Sequence, residues 1–167
     1  MLKTDGLDFS ASYTWETGFG AWTIGDTLTY VLNYDQGATP GLPLVDHLNE
    51  INFPLRFQTR AHLGWDVGGF SANPFVNYQN AYANTAVSPS IDVKSYTTAD
   101  LTLAYDTREE ASEAFRNVRF QVSAQNVFDA DPPYALIAQS FSGLQAFDSQ
   151  NASAVGRFVT VQMSKKW

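Results

Sequence analysis

Apolar and polar residues alternate with period two through most of the chain, over runs of ten to a dozen residues bounded by Gly, Pro, Asn and Asp, while helical periodicity is nearly absent. Alternation sends successive side chains to opposite faces of an extended strand, so the pattern predicts an all-β, antiparallel protein. A first strand is expected near Gly6 to Glu16, with Leu7, Phe9, Ala11, Tyr13 and Trp15 on one face and Asp8, Ser10, Ser12 and Thr14 on the other. A second, near Ala21 to Tyr34, sets Trp22, Ile24, Leu28, Tyr30, Leu32 and Tyr34 against Thr23, Thr27, Thr29 and Asn33; Asp26 interrupts its apolar face and is a candidate bulge. A third, near Leu55 to Val67, alternates most cleanly, with Arg56, Gln58, Arg60, His62, Gly64 and Asp66 on its polar side. Gly68-Gly69 then predicts a tight hairpin turn into a fourth strand near Phe70 to Tyr82, where Pro74 removes one ladder donor. Further strands are expected near Thr97 to Tyr105, Val118 to Phe128 and Arg157 to Trp167, with one segment of helix-like composition, Arg108 to Phe115, between the fifth and sixth.

Strand length separates two all-β architectures. Strands of soluble sandwiches cluster at about five or six residues, whereas a tilted strand needs about 9–11 to cross a bilayer. The runs here match the second figure. If the last strand runs downward, alternation of direction puts the short connections Thr17 to Gly20 and Gly68-Gly69 on the lower side. The long ones, Asp35 to Pro54, Ala83 to Tyr96 and Asp129 to Gly156, fall on the upper side, and only Asp106 to Asn117 is long below. Short turns on one side and long loops on the other are the outer-membrane barrel pattern. Aromatic residues of the apolar faces sort likewise into two levels: Trp15, Trp22, Trp65, Phe70, Tyr105 and Trp167 at the lower strand ends, and Tyr30, Tyr34, Tyr78 and Tyr82 toward the upper ends, as interfacial girdles would.

Composition agrees and removes several function classes. Charged residues make up 16% of the 167 and aromatics 14%, so the surface is short of charge. A net charge of −7 with ten scattered basic residues argues against nucleic acid as a partner. The absence of Cys removes disulfides and thiolate chemistry. No apolar run is long enough for a transmembrane helix, and the start lacks the apolar core of a signal peptide, so if the protein works outside the cytoplasm this chain is expected to be missing its own address.

The segment Gln125-Asn126-Val127-Phe128-Asp129-Ala130-Asp131-Pro132-Pro133-Tyr134 resembles the "NLFD" stretch that closes the penultimate strand of TonB-dependent receptors. The end, Gly156-Arg157-Phe158-Val159-Thr160-Val161-Gln162-Met163-Ser164-Lys165-Lys166-Trp167, is similar to their final strand. Thr17-Gly18-Phe19-Gly20 and Gly64-Trp65 with Gly68-Gly69-Phe70 resemble the family's later hairpins, so the likeness spans nearly the whole chain. The resemblance implies an antiparallel transmembrane β-barrel segment of about seven strands within a barrel of about 22 that encloses a plug. It implies residence in the outer membrane of a Gram-negative bacterium and energised uptake of a scarce nutrient such as a ferric siderophore, cobalamin or a saccharide. Implied partners are outer-membrane lipid, the rest of the same receptor, the TonB complex and the barrel-assembly machinery. The family's plug and TonB box have no counterpart here, so residues 1–167 are expected to be the C-terminal part of the barrel, unable to close alone. The family's assembly signal carries over to Val159, Val161, Met163 and Trp167, with Lys165 departing from its apolar pattern.

Candidate chemistry is sparse. Arg56, Arg60 and His62 are a possible basic stripe in the lumen for an anionic ligand, set against ordinary polar wall, and Tyr134 is a candidate loop contact. His47 with Asp46 and Glu50 is too small a cluster to predict a metal site, and Glu109, Glu110 and Glu113 fit a solvated turn better than an acid/base pair. No nucleophile, zinc or phosphate-loop motif occurs, so neither enzyme activity nor a cofactor is expected. Two other readings remain: a complete small outer-membrane barrel with Tyr134 to Ala138 as an eighth strand, and a soluble β-sandwich binding carbohydrate on its aromatic surface.

Overall fold

The computed structural model describes residues 1–37, 39, 41–107, 112, 114–139 and 143–166. Among these residues twelve strands follow in order: β1 (Leu2–Thr17), β2 (Gly20–Gln36), β3 (Val45–Asp46), β4 (Phe57–Val67), β5 (Phe70–Gln79), β6 (Tyr82–Asn84), β7 (Ile91–Val93), β8 (Tyr96–Asp106), β9 (Val118–Gln125), β10 (Ile137–Gln139), β11 (Gly143–Gln145) and β12 (Phe158–Lys165). No helix occurs among the described residues. Seven long strands make one antiparallel meander in the order β1-β2-β4-β5-β8-β9-β12, with β3 added beside β2. A meander of this kind needs only hairpin connections, which is why period-two alternation and turn residues sufficed to predict it. The sheet is not closed: β1 and β12 are its two edges.

The register puts the predicted apolar positions on one face. Trp15, Trp22 and Trp65 stand opposite one another across β1, β2 and β4, and so do Tyr13, Ile24 and Leu63. On the other half of the sheet Phe70 faces Tyr105, Tyr105 faces Phe120 and Phe120 faces Met163. This face is open, with Phe9 56% and Val161 80% exposed. The opposite face is a mesh of polar contacts, including Ser10 with Thr27, Thr14 with Thr23, Thr29 donating to Asp8, and Thr102 with Ser123. At the lower end Gly68 and Gly69 take φ of 58° and 90°, which glycine adopts without strain, and close the predicted hairpin.

Several local expectations change. Asp26 is no bulge: it pairs in unbroken register with Ala11 and Ala61, its side chain on the apolar face, where it accepts a hydrogen bond from Thr59 Oγ1. The register shift comes higher, where Gly6 faces Val31 but Asp5 faces Asn33, so β2 carries the extra residue at Leu32. Parity reverses beyond it, and Tyr34 leaves the upper aromatic level to meet Phe53, ring centroids 5.9 Å apart. β4 starts at Phe57, so Leu55 and Arg56 precede it. β5 ends at Gln79, so Tyr82 lies in the loop hairpin β6-β7 instead of a girdle. Pro74 sits inside β5, where the β4 ladder skips it while pairing with Leu101 of β8 continues. β10 pairs with β11 in a separate hairpin and does not add an eighth long strand, which removes the small-barrel alternative; a single meander without a second facing sheet removes the sandwich. Of the helix-like segment, residues 108–111 and 113, Glu109, Glu110 and Glu113 among them, lie outside the described residues, and 114–117 form a turn.

The main cluster of buried apolar side chains lies in the upper loops. Ile51, Leu55, Tyr82, Val93, Ala135 and Ile137 form one cluster drawn from all three long connections. Backbone pairs Ile51 N to Ala83 O (2.9 Å) and Ala83 N to Asn49 O (3.0 Å) join the first loop to the second. Asn84 Nδ2 donates to Leu136 O (2.9 Å), joining the second to the third. The fully buried Asp148 of the third loop accepts from Asn52 N (3.1 Å) and Asn151 Nδ2 (2.8 Å), and Asn151 also reaches Phe53 O (3.1 Å). Burial, and then the adjacent Asp148 carboxylate, push the Tyr82 hydroxyl pKa well above its ordinary value.

Candidate functional site

The polar face gathers its only dense set of charged and aromatic groups, among the described residues, at mid-height on β4, β5 and β8. Arg60 stands opposite Asn77, and Asn77 opposite Thr98; one step lower, His62 faces Phe75 and Phe75 faces Asp100. Arg60 Nη1 donates to Asp100 Oδ2 (3.1 Å) and to Asn77 Oδ1, while its guanidinium lies over the Phe75 ring, 4.3 Å from the centroid. Asp100 also accepts from Asn77 Nδ2 (3.0 Å) and from the backbone N–H of Asn126 (3.0 Å). His62 lies flat against β2 because Gly25 offers no side chain there: a Cβ at Gly25 would come within 2.2 Å of the imidazole Cε1. Its other neighbour is Phe75, at 5.4 Å between centroids.

The expected basic stripe is therefore only partly present. Arg60 and His62 share a patch, bridged by Phe75. Arg56 does not join them; it lies just before β4, where its N–H donates to Asn49 Oδ1 and its carbonyl accepts from Val31. The charge of Arg60 is balanced by Asp100, a partner forty residues along the chain whose lumenal parity with Thr98 and Thr102 was the one available hint. Tyr134 is 64% exposed in the third loop, apart from this patch. His47 Nδ1 is paired with Glu50 Oε2 at 2.9 Å and its ring stacks on Phe53 at 4.4 Å; among the described residues no His, Asp and Glu side chains are grouped as metal ligands would be.

Above Arg60 the wall continues into a polar recess of about 550 Å³ between β5, β8, β9 and the third loop. The Asn126-Val127-Phe128-Asp129 segment builds its rim. Asn126 has φ of 47°, which ends β9, and its side chain holds both N–H and C=O of Ala130 (2.9 Å each). Asp129 Oδ1 then accepts the Arg157 N–H (2.6 Å), and β12 starts at the next residue. The motif thus fixes both the exit of one strand and the entry of the last.

The aromatic rows have a definite spacing. Rings pair along the lower row between Tyr13 and Trp15 (5.9 Å), Trp22 and Trp65 (5.7 Å), and Trp65 and Phe70 (5.7 Å), with Trp65 Nε1–H donating to Phe19 O in the first turn (2.8 Å). The upper row runs Tyr30, Phe57, Tyr78, at 6.5 and 6.1 Å. Trp22 and Tyr30, Trp65 and Phe57, and Phe70 and Tyr78 are each eight positions apart on their strands. Eight residues rise about 27 Å along a strand, or about 21 Å vertically at a tilt of about 40°, against an apolar band of about 25 Å in outer-membrane barrels. Trp167 lies outside the described residues.

An open antiparallel meander with one continuous apolar face, one polar face, short turns below and packed loops above is the wall of a membrane-type β-barrel. The family described as TonB dependent receptor-like, beta-barrel matches residues 1–127, and the chain belongs to that family, a family of outer-membrane transport receptors. No curated protein and no solved structure matches the chain. The match stops just where the Asn-Val-Phe-Asp segment begins to turn, so the last strand is tied to the family barrel by its pairing with β9, from Phe158↔Gln125 to Lys165↔Val118.

Proposed function

We propose that the chain forms the C-terminal part of the barrel wall of a TonB-dependent receptor that takes up a scarce nutrient across the outer membrane of a Gram-negative bacterium, driven by the TonB complex. The remaining strands pair with the β1 and β12 edges, since unpaired backbone groups facing hydrocarbon cost several kcal/mol each, and the plug belongs to the same receptor. Trp15, Trp22, Trp65, Phe70 and Tyr105 make the lower interfacial girdle; Tyr30, Phe57 and Tyr78 make the upper one. Val159, Val161 and Met163 point outward on the edge strand β12 and, with Trp167, serve as the signal read by the assembly machinery. Arg60 and His62 pave the lumen, and Tyr134 is left for ligand arriving from outside. The observation that carries the reading is the division of the sheet into a face that is apolar through the middle of its strands, where Asp26–Thr59 is the one polar pair among the described residues and the other polar contacts, such as Trp65 with Phe19, lie at the strand ends, and a face meshed by hydrogen bonds.

The chain has no native cysteine, so single-cysteine scanning has no background within it. Thr27→Cys and Ser123→Cys in the intact receptor, expressed in cells, should react with a membrane-impermeant maleimide, while Leu28→Cys and Leu63→Cys should react only after detergent solubilisation. Equal labelling of both sets in intact cells would refute the membrane reading.

A further inference from the structure

We propose that the recess above Arg60 binds a neutral, polyhydroxylated ligand of the oligosaccharide class, and not an anionic chelate; this rests on the receptor reading above. It is a recess of about 550 Å³, open toward the space that the polar face lines. Six of its fourteen lining residues are carboxamides, and they divide into two sets. Asn77, Asn126 and Asn151 are committed to the wall and the loops through the bonds already described. Gln79, Gln125 and Gln150 line the same recess, and their side chains make no hydrogen bond among the described residues. Each therefore presents one acceptor and two donors to a ligand. Three such groups converging on one space match vicinal hydroxyls, which are donors and acceptors at once, far better than they match a carboxylate or phosphate. Tyr96 and Val155 in the lining supply the apolar surface that the C–H side of a sugar ring requires.

The electrostatics point the same way. The one cation in the lining is Arg60, and its guanidinium is engaged by Asp100, Asn77 and the Phe75 ring. Apart from the buried Asp148, the long loops around the entrance, residues 37–56, 80–95 and 126–157, carry five acidic residues, Asp46, Glu50, Asp92, Asp129 and Asp131, against three basic ones, Arg56, Lys94 and Arg157. A negative rim lowers the local concentration of anions and their rate of arrival, and leaves neutral ligands unaffected.

The test uses the intact receptor in detergent on an array of neutral and acidic oligosaccharides, with ferric citrate as the anionic chelate, binding being followed by tryptophan fluorescence. Neutral glycans should bind, and Gln125→Leu with Gln150→Leu should weaken them by roughly tenfold or more, the loss of two hydrogen bonds, while a lower-wall variant, Gln162→Leu, should not. Ferric citrate binding, no neutral glycan binding, or neutral binding indifferent to the paired Gln substitutions each overturns the ligand class. Cysteine labelling of the same preparations before extraction separates the two claims. A receptor whose apolar face is protected but which binds no neutral glycan refutes this inference alone, whereas one whose faces label equally refutes the reading beneath it.

Discussion

Asp26 is the sharpest probe of which face meets lipid. It lies four residues from Trp22 and four from Tyr30, midway between the aromatic rows, on the face that Ile24, Leu28 and Leu63 make apolar. A basic residue at the bilayer midplane of a barrel costs about 2–4 kcal/mol and an acidic one less. The hydrogen bond from Thr59 returns about 1 kcal/mol of that. Asp26→Leu removes the penalty and continues the apolar face between Ala11 and Ala61, for an expected gain of about 2 kcal/mol. Thr59→Val alone leaves the carboxylate without its donor and should lose about 1 kcal/mol; made on top of Asp26→Leu it should lose nothing, giving a coupling of about 1 kcal/mol. Equilibrium urea unfolding of the intact receptor in phospholipid vesicles, read by tryptophan fluorescence, measures all four corners of the cycle. If Asp26→Leu is less stable than wild type by about 1 kcal/mol or more, the position faces water or a polar partner, and the assignment of the apolar face to hydrocarbon fails.

Gly25→Ala should destabilise by about 1–2 kcal/mol, because its Cβ forces the His62 ring off β2 and against Phe75, and His62→Ala in the same chain should restore the urea midpoint. Tyr82→Phe should remove one late-ionising tyrosine from an alkaline spectrophotometric titration. Since the folded pKa lies above the unfolded value of 10.0, ionisation is easier in the unfolded chain, so the hydroxyl leaves loop stability unchanged at neutral pH and reduces it as pH rises past 10; the Phe variant should lack that decline.

What the sequence disclosed and what it hid follow one division. Alternation, the Gly68-Gly69 turn and the common level of Trp15, Trp22 and Trp65 are local signals, and they reappear in the pairing of β1, β2 and β4 and in the turn that follows β4. The bulge at Leu32 was hidden because nothing in Val31-Leu32-Asn33 departs from good strand chemistry; only the partner strand reveals the extra residue. Tyr82 fits the alternation of β5 perfectly well, and its burial depends on Val93, Ile137 and Asp148, which come from later in the chain. The neutralisation of Arg60 failed to show for the same reason: Asp100 reaches it across an intervening strand, and no window on the sequence contains both.

The core shared by the three upper loops bears on how tightly anything can be held beneath them. Ordering a free loop at the moment of capture sets its conformational entropy against affinity, at about 1–2 kcal/mol per residue fixed. Here Ile51, Tyr82 and Ile137 have locked the loops to one another during folding, and Asp148 clamps the third onto the first. A ligand of the proposed kind would therefore meet loops already joined by this core, and selection between ligands would fall to shape and hydrogen-bond match.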